Sequence, residues 1–251
     1  MRSKTRVTLW AIFGAATLLG AAAIGPIPQP AEYHALADQR TLFGVPRAAD
    51  VLSNLVFLFV GLYGLSAMET ARRVRVLRPM RMCYGMFFCT LIATAAGSAW
   101  YHWAPDDARL LWDRLPIAVA CSTLLSIVLR QCLNLPRCIS PLLLGFALLS
   151  VAWWGLMNDL RPYLLLQLAT MVVIPAAQQS AAVSSEERRA FGAAVGCYVL
   201  AKLCEMADVR LYELLPLSGH TLKHLLAGLG AFFIAHYFVT RAKARRSPVS
   251  G

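Results

Sequence analysis

Long apolar blocks broken by short polar loops organise this chain. Within the blocks, polar positions do not recur with the period of an amphipathic surface helix. Eight blocks stand out, at residues 7–25, 50–68, 83–102, 110–129, 138–157, 162–181, 191–203 and 220–239. Most approach the roughly 20 residues that a helix needs to cross a bilayer core. The seventh is the shortest and extends toward Asp208. Backbone polar groups inside lipid must be satisfied within their own segment, so consecutive apolar blocks predict helices. The expected fold class is all-α, a polytopic membrane helix bundle.

Composition agrees: 58% of the 251 residues are hydrophobic, and the mean hydropathy is +0.57. A net charge of +11 would suit nucleic acid, but its placement points elsewhere. Arg2, Lys4 and Arg6 precede the first block; Arg72, Arg73, Arg75, Arg78 and Arg81 follow the second. Arg130 and Arg137 follow the fourth, Arg188 and Arg189 the sixth, and Arg241, Lys243, Arg245 and Arg246 the last. If all eight blocks span, every one of these groups lies on one side, and the opposite loops are neutral or acidic. This is the positive-inside pattern, with both termini cytoplasmic. No nucleic-acid partner is expected.

The first block starts like a signal peptide, but no clean cleavage site precedes Pro26, so a retained helix is expected. The division expected is an N-terminal transmembrane helix at 1–30, a membrane domain at 31–240 and a basic tail at 241–251. The seven cysteines are odd in number, lie mostly within apolar blocks and form no C-x-x-C pair. They read as small buried hydrophobes. Trp100, Trp103, Trp112, Trp153 and Trp154 gather near the outer block ends, as an interfacial aromatic belt does.

The chemistry-bearing residues concentrate at one depth. His102 ends the third block, and Ser98 lies one turn deeper on the same face. Asp113 opens the fourth block, and His220 and His224 open the eighth, one helical turn apart. All five come from the outer side. Three imidazoles with one open position are the ligand set of catalytic zinc. Asp113 is then the candidate acid–base group, and Ser98 a candidate hydrogen-bond donor to the water or a developing oxyanion. Interhelical hydrogen bonding is the plainer role for any one intramembrane histidine, but three at matched depth favour metal. Lys202, Glu205 and Asp208 read as an internal salt-bridge cluster. Ser53 and Asn54 read as structural, and His34 and His236 as non-ligands.

The ordered segments SNLVFLFVG, GSAWYHWAP, DRLPI, KLCEMAD and SGHTLKHLLA, spread from about Ala31 to Tyr237, resemble the alkaline ceramidases. These are part of the wider CREST membrane hydrolases, to which adiponectin-receptor-like proteins are related. The resemblance implies a seven-helix core, so the first block becomes an extra N-terminal helix. It implies zinc on His102, His220 and His224, with Ser98 and Asp113 completing the catalytic group. It implies hydrolysis of the ceramide amide to a sphingoid base and a fatty acid, with membrane lipid as the partner. The expected place is a bacterial inner membrane, with the active site toward the outer face. Animal members also bind calcium through an acidic N-terminal run. Here Asp38 is the remnant candidate ligand; Arg40, Arg47 and the shortage of oxygen donors speak against Ca²⁺. Two alternatives accompany this reading: a lipid esterase of the same superfamily, and a lipid-binding receptor or sensor with a structural zinc site.

Overall fold

The computed structural model describes residue 20, residues 23–75 and residues 77–244. The first apolar block, expected to be a transmembrane helix, lies almost wholly outside the described residues, as does the tail from residue 245. Among the described residues the fold is helical, with no strand beyond an isolated bridge between Leu42 and Val45.

The described residues form ten α-helices in order. A composite first helix comprises α1 (Ala48–Leu52), α2 (Leu55–Leu65) and α3 (Met68–Ala71). The long helices are α4 (Arg81–Trp103), α5 (Asp107–Cys132), α6 (Ile139–Met157), α7 (Arg161–Ser180) and α8 (Ser185–Met206). The short α9 (Asp208–Leu214) precedes α10 (Gly219–Lys243). Arg241 and Lys243 complete the last turn of α10. No breaker interrupts that turn, and cations favour the negative end of a helix dipole.

Among the described residues, five helical segments are long and apolar enough to cross a membrane: Ala48–Leu65, Arg78–Trp103, Asp107–Cys132, Ile139–Met157 and Gly219–Lys243. The pair α8–α9, bent by 84° at Ala207, makes a sixth if it counts as one span. Helix α7 has the length, but Gln167, Gln178 and Gln179 reduce its apolar character. Leu142, Leu149 and Leu156 lie at seven-residue spacing on α6 and are 65%, 68% and 84% exposed. An apolar stripe of this kind suits lipid as its solvent.

The helices pack as a ring: α2 on α4, α4 on α5, α5 on α7, α7 on α8, α8 on α10, and α10 back on α2. Helix α6 lies outside, against α5 and α7. Two ends of this ring differ. At one, Tyr84 and Phe88 of α4 meet Phe238 of α10, with ring centroids 4.7 and 5.2 Å apart. At the other stand His102, eighteen residues further along α4 than Tyr84, and His224, fourteen residues before Phe238. At 1.5 Å per residue the two ends are separated by roughly 21–27 Å of helix. A cavity of 330 Å³ fills the space between.

Candidate metal centre and its cavity

Helix termini set the positions of the three histidines. Ser218 is the N-cap of α10 and accepts the Thr221 amide at 3.0 Å. Asp208, at the start of α9, accepts the His220 amide at 2.7 Å. Two donors that a helix start leaves unpaired are thereby satisfied. The second of these bonds ties His220 to the sharp break between α8 and α9. Gly219 makes that approach possible, since a Cβ there would overlap the Cys204 carbonyl and lie 2.7 Å from the Asp208 Cα. The buried Asp50 of α1 accepts Thr221 Oγ1 at 2.6 Å and Ser218 Oγ at 3.0 Å. Asp208 is thus a capping residue and not a member of the expected salt-bridge cluster. That cluster consists of Glu205 with Lys202 at 2.9 Å and Lys223 at 2.6 Å.

His102 sits in the last turn of α4, where the carbonyls lack intrahelical donors. Arg47 supplies them: Nε donates to the His102 carbonyl and Nη2 to that of Trp103, each at 2.7 Å. Arg47 has φ +46°, a left-handed conformation that costs energy for a residue with a side chain. The bonds made by its guanidinium offset that strain.

The result is a compact trio. His102, His220 and His224 are 0%, 4% and 2% exposed. Their ring centroids lie 4.6 Å (102–220), 4.9 Å (102–224) and 4.9 Å (220–224) apart. One nitrogen from each falls within 4.8 Å of the others, so the group could hold a metal ion. The fit can be tested further. Tetrahedral imidazole ligands at 2.0–2.1 Å from an ion stand about 3.3 Å from one another. His102 Nε2 and His220 Nε2 are 3.2 Å apart. Ser53 donates its hydroxyl to the Asp50 carbonyl at 3.0 Å and stands 2.8 Å from His224 Nδ1. With its own proton committed, Ser53 accepts from Nδ1–H. His224 Nε2 then carries a lone pair, and it is buried with no protein partner. A lone pair fixed in this way, with a neighbour holding the other nitrogen, is the usual state of a ligating histidine. Ser53, read from the sequence as structural, therefore sets the tautomer of a candidate ligand. Lys223 Nζ approaches His220 Nε2 at 3.2 Å while anchored to Glu205.

Ser98 and Asp113 are brought together beside the trio, and both line the cavity with His224. The Ser98 hydroxyl stands next to the Asp113 carboxyl. The cause is a close crossing of α4 and α5. Pro116 has no N–H, so the Trp112 carbonyl four residues before it has no helical donor. The Gly97 backbone packs against that carbonyl; a Cβ on Gly97 would overlap the oxygen and lie 2.9 Å from the Trp112 carbonyl carbon. Neighbouring Ser98 then faces neighbouring Asp113. The cavity runs inward from these groups between apolar walls that include Phe87, Leu91, Leu124, Ile174, Phe191 and Ile234.

Asp38 is placed elsewhere. Arg40 binds its carboxylate through Nε at 2.9 Å and Nη2 at 2.6 Å, and Tyr212 donates at 3.2 Å. The Arg40 guanidinium holds the Asp38 carboxyl below its ordinary range. Its oxygens serve as the counter-ion of an arginine, not as part of an oxygen cluster that calcium would need. His34 bonds to Tyr101 and Asp107, and His236 to Tyr63, both away from the trio. Asp113 and Arg114 form no ion pair among the described residues; the Arg114 guanidinium lies over Trp154 and donates to Gln29.

Neither models of known protein families nor curated proteins yield a match to this chain.

Proposed function

We propose that this chain is a zinc-dependent intramembrane amidase of the alkaline ceramidase type, hydrolysing ceramide-like lipids to a sphingoid base and a free fatty acid. One observation carries the reading. His224 Nε2, tautomer-fixed by Ser53 and without a protein partner, belongs to a trio of buried imidazoles, and His224 lines an apolar cavity together with Ser98 and Asp113. Zinc bound there would supply Lewis-acid polarisation of the amide carbonyl and of water.

The remaining chemistry belongs to the chain. Water adds to the carbonyl carbon and the C–N bond breaks. Asp113 accepts the water proton and returns it to the departing nitrogen, as general base and then general acid. Ser98 stands beside Asp113, and once Asp113 holds the water proton the Ser98 hydroxyl is free to donate to the oxygen on which charge develops. The apolar walls take the acyl chain and keep bulk water from it. The exposed apolar stripe of α6 and the five apolar helices support action within a bilayer. The basic loops support a seven-helix core with its site at the outer face.

The test is release of fatty acid and sphingoid base from a fluorescent ceramide by purified protein in detergent. Turnover should disappear with chelator, return with zinc and be absent in His220→Ala. Stoichiometric zinc with no turnover on amide or ester lipids would replace the hydrolase with a lipid-binding receptor.

A further inference from the structure

Arg114 has no role in the chemistry just described, yet it lines the same cavity and is 4% exposed. Buried cations in membrane proteins ordinarily pair with a carboxylate. No carboxylate lies within ion-pair distance of Arg114 among the described residues. The guanidinium instead sits in a box of aromatic rings: 4.1 Å from the Trp154 centroid, 5.2 Å from Tyr33 and 5.4 Å from Tyr163. Trp154, assigned by sequence to the interfacial belt, is buried beneath it, whereas Trp100, Trp103, Trp112 and Trp153 are exposed. Gln29 Oε1 accepts from Arg114 Nη2. Arg114 Nη1 and Gln29 Nε2 are both buried without a partner.

Gln29 is not there by accident of a loose end. Its amide donates to Asn158 Oδ1 at 3.1 Å, and the Ile27 amide donates to Asp159 Oδ1 at 3.1 Å. Leu160 in turn donates its amide to the Ile27 carbonyl at 2.8 Å. The loop between α6 and α7 thus fixes the segment that presents Gln29. Local charge points the same way. The cavity lining contains two carboxylates, Asp113 and Glu205, against three fixed cations, Arg114, Lys202 and Lys223. Glu205 is shared by both lysines. The lining therefore carries one net positive charge before any metal is counted.

We infer that Arg114 and Gln29 form a subsite for an anionic oxygen group, a carboxylate or a phosphate, at the polar end of the bound lipid. The orphan N–H groups of both residues donate to it, and charge-assisted bonds of this kind are about twice as strong as neutral ones. The inference takes from the proposed hydrolase only that the occupant is an N-acyl lipid or its product. The anion has two possible sources: the fatty acid released, or a head group on the amine side.

The experiment measures equilibrium binding to the full-length protein in neutral detergent. The protein is chelator-treated so that no metal supplies anion affinity. Three probes share a twelve-carbon acyl chain: dodecanoate, N-dodecanoylglycine and neutral N-dodecanoylethanolamine. At least one anionic probe should bind about tenfold more tightly than the neutral one, and Arg114→Gln should abolish that preference while neutral binding stays within twofold. Gln29→Ala, which leaves the aromatic box intact, should weaken the preference alone and guards against a misfolded Arg114 variant. Preference for dodecanoate only makes this a product subsite; preference for N-dodecanoylglycine makes it a head-group subsite. Equal binding of all three probes, or a preference that survives in Arg114→Gln, overturns the inference. Arg114-dependent binding of N-dodecanoylglycine to the chelator-treated protein, with no hydrolysis of it by the zinc-loaded protein, would leave the subsite standing while the amidase failed.

Discussion

Gly97→Ala is the change through which the architecture of the site is best tested. One methyl group is added, 2.9 Å from the Trp112 carbonyl carbon and closer still to its oxygen, where ordinary contact begins at 3.4 Å. The obstacle is backbone, so no side chain can rotate away. Helices α4 and α5 must part by about 1 Å at this crossing, and such overpacking costs typically 1–3 kcal/mol. Ser98 and Asp113 flank the crossing, so they part too. A misplacement of about 1 Å in a catalytic array costs on the order of 100-fold in rate. Zinc binding should suffer less, because Arg47 pins the end of α4 that carries His102. The assay is ceramide hydrolysis in detergent with metal content measured on the same sample, beside Gly145→Ala as control. No atom lies within 4 Å of a Cβ at Gly145, so that variant should be silent or slightly stabilised. Gly97→Ala with wild-type turnover would refute the argument that this crossing aligns Ser98 with Asp113.

Three further outcomes are expected. Ser53→Ala should weaken zinc affinity by about 10- to 100-fold, measured by competition with a chelating dye, since His224 loses the partner that fixes its tautomer. Glu205→Gln leaves Lys202 and Lys223 without their shared counter-ion and should lower stability by on the order of 3 kcal/mol, read as thermal unfolding in detergent. At Asp159 the Arg161 guanidinium, then the Trp153 indole and two backbone amides, hold the carboxyl well below its ordinary range. A depressed carboxyl contributes stability that is present above its unfolded pKa of about 3.9 and is lost as pH falls through the folded value. Asp159→Asn should therefore lower stability at neutral pH and flatten its fall in acid, and a pH series that matches wild type throughout would remove Asp159 as the anchor of the Ile27–Gln29 segment.

Some of this was legible in the sequence and some was not, for reasons of range. His220 and His224 share a face by helical period alone, and His102 and Ser98 likewise, so depth could be read from position in an apolar block. That these faces meet depends on contacts the pattern does not encode. Pro116 looks like a kink in sequence; its consequence, a bare Trp112 carbonyl against Gly97, is a tertiary fact. Asp208 looked like a member of an i, i+3 charge row with Lys202 and Glu205, and the 84° break at Ala207 removes it from that row. No proline or glycine marks the break, which is why periodicity ran through it. Arg114 follows Asp113 in the chain, but adjacent residues on a helix point about 100° apart and serve different neighbours. Ser53 was within reach of inference: a polar pair opening an apolar block near a histidine depth invites a hydrogen-bonding role.

The histidines themselves give the strongest reason to expect a cation. Three buried imidazoles stand within 5 Å of one another. Neutral imidazoles each offer one donor and one acceptor. Ser53 takes the donor of His224, and Lys223 supplies a donor to His220, which leaves the His224 Nε2 acceptor with nothing in the protein to satisfy it. An unsatisfied buried acceptor costs roughly 1–3 kcal/mol. Helix packing alone would have favoured an apolar residue at position 224, where a leucine would remove the penalty and keep the contact with Phe57. His224→Leu should then stabilise the chelator-treated protein and abolish zinc binding. Loss of stability on that substitution in the metal-free protein would mean that the imidazole is satisfied by something other than a metal.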